Sequence, residues 1–113
     1  MNVSVIIPTY NRKPILEKCL NALEKQTLSN IIRNYEIIVV DDGSTDGTPS
    51  WIRKNSDIFP HVVLHEQEHG GSALGRNLGV IKSKYEIIIF IDSDLIVLED
   101  FLLCHVNKLN SYW

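Results

Sequence analysis

Cysteine is scarce in this 113-residue chain: Cys19 and Cys104 lie far apart, and neither has a CxxC neighbour. That excludes a disulfide framework and a cysteine zinc site. Basic residues are outnumbered, with 11 Lys and Arg against 14 Asp and Glu and a net charge of −3. A nucleic-acid binder working through a basic surface is excluded by that balance. No apolar run reaches the roughly 18–20 residues that span a bilayer. The opening MNVSVIIPTY lacks the basic start and long apolar stretch of a signal peptide. Neither a G-x-G-x-x-G fingerprint nor a Walker A loop occurs, so dinucleotide and ATPase chemistry lose support. No metal role is expected for His61, His65, His69 or His105. What is present, 44% hydrophobic and 22% charged residues, is ordinary globular composition. The length fits one domain spanning residues 1–113, and the expectation is a cytoplasmic α/β protein.

Two apolar patterns alternate along the chain. Val3–Pro8, Glu36–Val40, Val62–Leu64 and Glu86–Ile91 are short runs rich in β-branched residues, as in strands buried on both faces of a parallel sheet. Between them lie helical patterns. Ile15, Leu16, Cys19, Leu20 and Leu23 form one stripe, with charged residues facing away. Thr48-Pro49 reads as an N-cap with Pro at the first helical position, opening a helix to about Lys54. Ser72–Ser83 is a third helix. A fourth begins near Glu99, with Phe101, Leu102, His105, Val106 and Leu109 as its stripe. This alternation predicts a doubly wound parallel sheet. With right-handed crossovers the simplest strand order is 3-2-1-4. Ligands in such sheets bind outside the carboxyl ends of the strands where the order reverses. The predicted site is therefore built from Pro8–Arg12 and Ile91–Asp94, helped by Asp41-Asp42.

Those segments are also chemically distinctive. Asp92-Ser93-Asp94 leaves an apolar strand with two carboxylates at i and i+2, a pair suited to a hard divalent cation. Asp41-Asp42 ends another strand, where acids can accept from a base N–H or a ribose hydroxyl. Asp46, Gly47 and Thr48 read as a turn and a helix cap and nothing more. In Pro8-Thr9-Tyr10-Asn11-Arg12 the tyrosine offers a flat face for a base. The Gly-rich Gly70–Gly79 segment opens a helix. Helix packing explains Gly75 and Gly79, and the planar fork of Arg76 suits a diphosphate or an Asp. A response-regulator reading of Asp41-Asp42 needs both a phosphoacceptor Asp on a later strand and a Lys beyond it; the candidate strand ends in Asp92-Ser93-Asp94 and no Lys ends a following strand.

Together these residues resemble the family 2 glycosyltransferases. The matching pieces are VSVIIPTYNR, EIIVVDDGSTDGT, EHGGSALGRNLGV and IIIFIDSDLIV, in the family's order. The resemblance implies a GT-A fold, whose Rossmann-like half binds a nucleotide-sugar, here a UDP-sugar. It implies that Pro8, Thr9, Tyr10 and Arg12 line the nucleoside pocket. Asp42, with Asp41 beside it, recognises the base, and Arg76 approaches the donor. Asp94 ligates Mn²⁺ or Mg²⁺ on the diphosphate; Asp92 and Ser93 help hold ribose or sugar, with Asp92 also near the metal. His69 stands where the family often has Asn, and Gly75 where it often has Ala; both read as positions that pack or that support the site from behind.

The same resemblance implies an inverting transfer to an acceptor hydroxyl of a glycan, lipid or protein. The carboxylate base for that step is expected beyond Trp113, so the chain reads as the first part of a larger domain. Two alternatives stand beside this reading. One is a non-catalytic nucleotide-sugar-binding fragment. The other, a haloacid-dehalogenase-like phosphohydrolase suggested by FIDSDLIV, is weakened by Ile96 where that motif wants Thr or Val. The parent enzyme is expected to be cytoplasmic, with the inner face of the membrane as a candidate working place. The fourth strand has five consecutive apolar residues and no protecting charge; later strands are expected to cover it in a complete domain, whereas in this chain its free edge is expected to recruit a second copy or to aggregate.

Overall fold

A computed structural model describes residues 1–111. The apolar runs become strands β1 (Asn2–Thr9), β2 (Asn34–Asp41), β3 (Val62–Glu66) and β4 (Ile87–Phe90). The helices between and after them are α1 (Lys13–Leu23), α2 (Thr48–Lys54), α3 (Ser72–Lys82) and α4 (Phe101–Ser111). All strand pairs are parallel, in the order β3-β2-β1-β4. The expected 3-2-1-4 order therefore holds. The final helical residues expected at Tyr112 and Trp113 lie outside the described residues.

The period of two along each strand divides the side chains between two cores. Val3, Val5 and Ile7 of β1 join Tyr35, Ile37 and Val39 of β2 in the larger core. Leu16, Cys19, Leu20 and Leu23 of α1 cover it, together with Ile52 of α2 and Leu102 and Val106 of α4. Cys19 is a core residue, as its stripe predicted. Burial, and after it the charge of Asp94, pushes its thiol up to about 12, so it stays neutral. On the opposite face Ile6, Ile38 and Val40 pack with Leu78 of α3 and Ile88 of β4. Gly75 and Gly79 are buried on α3 because that helix lies against β1 there: a Cβ on Gly79 would sit 2.4 Å from Ile6 Cγ2. Trp51 packs edge-on against Phe59, 5.6 Å between ring centres.

The first three strands run longer than their apolar runs, and β4 and α3 end one residue sooner than expected; three other boundaries shift for a visible reason. The cap of α2 is one residue earlier than Thr48: Gly47, with φ of 84°, takes that position, and Thr48 is the first helical residue. The capping acceptor is Asp46, whose carboxylate accepts from the backbone N–H groups of both Thr48 and Lys13, each at 3.1 Å. One acid thus serves the starts of α2 and α1, a structural role as the sequence suggested. The fourth strand begins after Glu86, because that carboxylate accepts the Asn2 N–H instead. The fourth helix begins at Phe101 rather than near Glu99, whose carbonyl accepts from Thr27 N–H at 2.8 Å. Among the described residues β4 pairs with β1 alone, and Phe90 at its end is half-exposed. No helix among them is long and apolar enough to cross a membrane.

Candidate functional site

The reversal in strand order lies between β1 and β4, and an open cavity of about 500 Å³ sits there. That volume is within the range of small-ligand sites, roughly 300–1,000 Å³. Pro8, Thr9, Tyr10 and Arg12 line it from the end of β1, and Asp42 from the end of β2. Ser72 and Arg76 line it from α3, and Asp92, Ser93 and Asp94 from the segment after β4. Segments far apart in sequence meet here because parallel strands bring their carboxyl ends to one edge.

The loop after β1 is held by its neighbour after β2. Asn11 adopts a left-handed φ of 50°. Its Oδ1 accepts the Thr45 N–H at 2.7 Å, and its own N–H donates to Ser44 Oγ at 2.9 Å. Tyr10 and Arg12 on either side remain exposed. Thr9 is buried at the cavity wall, and its Oγ1 has no protein partner among the described residues.

The adjacent acids Asp41 and Asp42 part company, because neighbours on a strand point to opposite faces. Asp42 faces α3 and lines the cavity while only 5% exposed. Its Oδ1 accepts from Gln67 Nε2 and Gly70 N–H, both at 2.8 Å, and its Oδ2 from Gly71 N–H at 3.1 Å. Burial alone raises its pKa. The bonds from Gln67, Gly70 and Gly71, with His69 nearby, outweigh that and hold it below the usual carboxylate range. Asp42 is therefore an anion at neutral pH, fixed by the loop that precedes α3. Asp41 is not brought to the cavity. It is 1% exposed on the other face, where its Oδ2 accepts the Ser44 N–H at 2.9 Å and shapes the turn.

Asp92, Ser93 and Asp94 all reach the cavity. The two carboxylates are exposed while Ser93 between them is buried. Arg76 Nη2 stands 4.0 Å from Asp92 Oδ1, so the arginine and the first acid of the pair share one neighbourhood. No group of three or more His, Cys, Asp or Glu among the described residues can enclose a metal ion. Two carboxylates nevertheless fit a hard cation that takes its other oxygen ligands from substrate phosphate and water. Three lining acids stand beside two arginines, so an anionic ligand meets charges of both signs.

The sequence reading missed Ser72 as a lining residue. Ser72 and Arg76 are four apart on α3 and so share a face; that spacing was the available signal. It also missed Gln67, which no local pattern marks.

A model of the family "Glycosyl transferase family 2" matches residues 4–113. Glycosyltransferase AglE of Haloferax volcanii is 43% identical over 93 residues, covering 81% of this chain and 30% of that protein. S. aureus TarS 1-349, solved in complex with UDP-GlcNAc, superposes with a TM-score of 0.83 at 30% identity. The match covers 98% of this chain and 32% of that one. Mannosyltransferase PcManGT of Pyrobaculum calidifontis, in complex with GDP-Man and Mn²⁺, gives 0.79 at 33% identity, over 95% of this chain and 31% of that one. The chain thus spans about a third of the length of these proteins.

Proposed function

The chain belongs to glycosyl transferase family 2, and from that premise we propose that residues 1–113 form the donor-binding half of an inverting glycosyltransferase that uses a UDP-sugar. One observation carries the reading. A flat aromatic face, a buried carboxylate, two arginines and a carboxylate pair line a single cavity at the switch point of the sheet. A nucleoside diphosphate presents the complementary groups: a base with a π-face and N–H donors, ribose hydroxyls, and a dense negative charge. Neighbours solved with UDP-GlcNAc and with GDP-Man and Mn²⁺ support a nucleotide-sugar and a dication.

In this reading Pro8, Thr9, Tyr10 and Arg12 receive the nucleoside. Asp42 accepts from the base, and Asp41 acts behind it through the turn that it caps. Arg76 pairs with the diphosphate. Asp92 and Ser93 hold ribose or sugar, and Asp94, with Asp92, holds Mn²⁺ or Mg²⁺. A dication held by these two carboxylates would supply positive charge to offset that of the diphosphate leaving group. In the transfer an acceptor oxygen bonds to the anomeric carbon, the bond from that carbon to the diphosphate oxygen breaks, and the hydroxyl proton passes to a carboxylate base. We place that base, and the acceptor site, in chain outside this span.

Calorimetric titration tests the donor site. With Mn²⁺ present, UDP should bind more tightly than inorganic diphosphate. Tyr10→Ala should weaken UDP by about tenfold, the order of one base–aromatic stack, and leave diphosphate unchanged. Equal affinity of wild type for the two ligands would remove the nucleoside from the assignment.

We also propose that this chain self-associates through β4, whose outer edge has no strand partner among the described residues. Phe90 is the appropriate probe, being half-exposed, whereas Ile89 packs against the main core. Light scattering should show concentration-dependent association in wild type and a smaller species for Phe90→Lys. A wild type that stays monomeric at high concentration contradicts the pairing.

A further inference from the structure

We propose that His69 is a positioning residue for base recognition, holding Tyr10 and Asp42 in one fixed arrangement. The inference rests on the reading of the cavity as a nucleotide site, and gives a specific role to a residue whose sequence position suggested packing or support from behind the site.

His69 touches two residues that line the cavity without lining it. Its ring centre is 4.3 Å from that of Tyr10, at a tilt of 31°. Its Nδ1 lies 2.9 Å from Asp42 Oδ2 and 3.1 Å from the Asp42 backbone carbonyl oxygen. Both of those neighbours are acceptors, so Nδ1 carries the hydrogen. The imidazole therefore buttresses the pair from outside the cavity: one edge restrains the carboxylate and the face restrains the tyrosine. The backbones are tied separately, the Asp42 N–H donating to the Thr9 carbonyl at 2.9 Å, but among the described residues only His69 pairs a ring contact to Tyr10 with a contact to the Asp42 carboxylate. The remaining bonds to the Asp42 carboxylate come from Gln67, Gly70 and Gly71, none of which is an aromatic partner of Tyr10.

The turn before it is built to allow this approach. Gly43 has a φ of 80°, and a Cβ there would come within 3.1 Å of the His69 backbone nitrogen and 3.3 Å of its Cβ. Glycine thus lets the loop carrying His69 lie directly on the turn after β2. An exposed tyrosine on a loop otherwise samples several rotamers, and a base that stacks on it must first select one. A ring already packed on one side reduces that cost, which is how preorganisation raises affinity without a new ligand contact. Asparagine at this position keeps a donor for Asp42 but has no face for Tyr10, so the two functions of the imidazole separate by substitution.

The experiment compares His69→Asn, His69→Phe and His69→Ala with wild type by calorimetry. The probes are UDP and inorganic diphosphate at fixed Mn²⁺, with the thermal midpoint measured alongside. His69→Ala should weaken UDP by roughly tenfold, the order expected for losing one aromatic contact and one hydrogen bond. His69→Asn and His69→Phe should each fall between, while diphosphate affinity and the thermal midpoint stay near wild type. In a Tyr10→Ala background the His69→Ala effect should shrink, because the stacked partner is gone. Unchanged or tighter UDP binding by His69→Ala overturns the inference, tighter binding marking the imidazole as an obstruction. Equal losses for both ligands with a lowered midpoint overturn it in favour of a purely structural role. A wild type that does not distinguish UDP from diphosphate overturns the nucleotide reading itself.

Discussion

Replacing Asp94 by Asn is expected to abolish most of the metal dependence of UDP binding. In wild type, UDP should bind weakly in EDTA and much more tightly with Mn²⁺ or Mg²⁺. The reason is charge. A diphosphate entering this cavity meets Asp92 and Asp94 as well as Arg12 and Arg76, and two carboxylates repel it unless a dication stands between them. Among the described residues this acid pair is what the cavity offers a cation, since no larger metal-binding group is present there. Losing one of two protein ligands should therefore cost at least the roughly 10–100-fold that follows loss of an outer partner of a metal site. Asn keeps the size of the side chain and removes only the charge, so the fold should survive. Calorimetry with Mn²⁺ and then with EDTA reads the effect. If wild type binds UDP equally in both, the cation does not belong at Asp94. If Asp94→Asn retains the full Mn²⁺ response, another residue holds it.

The topology was legible because it rests on patterns that are local. Four β-branched runs, three intervening helical patterns and the handedness of crossovers leave few sheets to choose from, and the order β3-β2-β1-β4 is the simplest of them. From that order the cavity at the ends of β1, β2 and β4 follows. The division of labour between Asp41 and Asp42 was less legible. Both faces of β2 are apolar, so its sequence does not say which side faces α3; only the packed sheet shows Asp42 on that side and Asp41 in the turn. The cap of α2 moved from Thr48 to Gly47 for a related reason. Asp46 reaches the N–H groups of both α2 and α1, and the second of these contacts depends on tertiary structure. His69 was hidden most completely. Its partners are 27 residues away at Asp42 and on a different strand end at Tyr10, and no periodicity encodes a contact of that kind.

The largest effect on stability is expected at Gly79, where α3 meets β1. Ile6 is fully buried, β-branched and fixed in the sheet, and a Cβ at position 79 would overlap its Cγ2 at 2.4 Å. Two terms oppose each other in Gly79→Ala. Alanine is the better helix former by about 1 kcal/mol, whereas overpacking a filled core costs about 1–3 kcal/mol. The contact is too short for small adjustments, so the second term should win and Gly79→Ala should destabilise. Gly79→Val adds two further carbons to the same crowded place and should remove much of a total stability that is only about 5–15 kcal/mol for such a domain. Ile6→Ala tests the cause. It removes Cγ2, Cγ1 and Cδ1, the three atoms that a new Cβ would meet. In that background Gly79→Ala should become neutral or stabilising, so the double-mutant cycle should show strong coupling in urea denaturation. A stabilising Gly79→Ala in wild type would mean that α3 can lift from β1 at little cost. The same displacement bears on the site. Arg76 and Ser72 are carried on α3 with Gly79, so any helix shift that relieves the overlap should also move the arginine that we propose for the diphosphate and weaken UDP binding in step with stability.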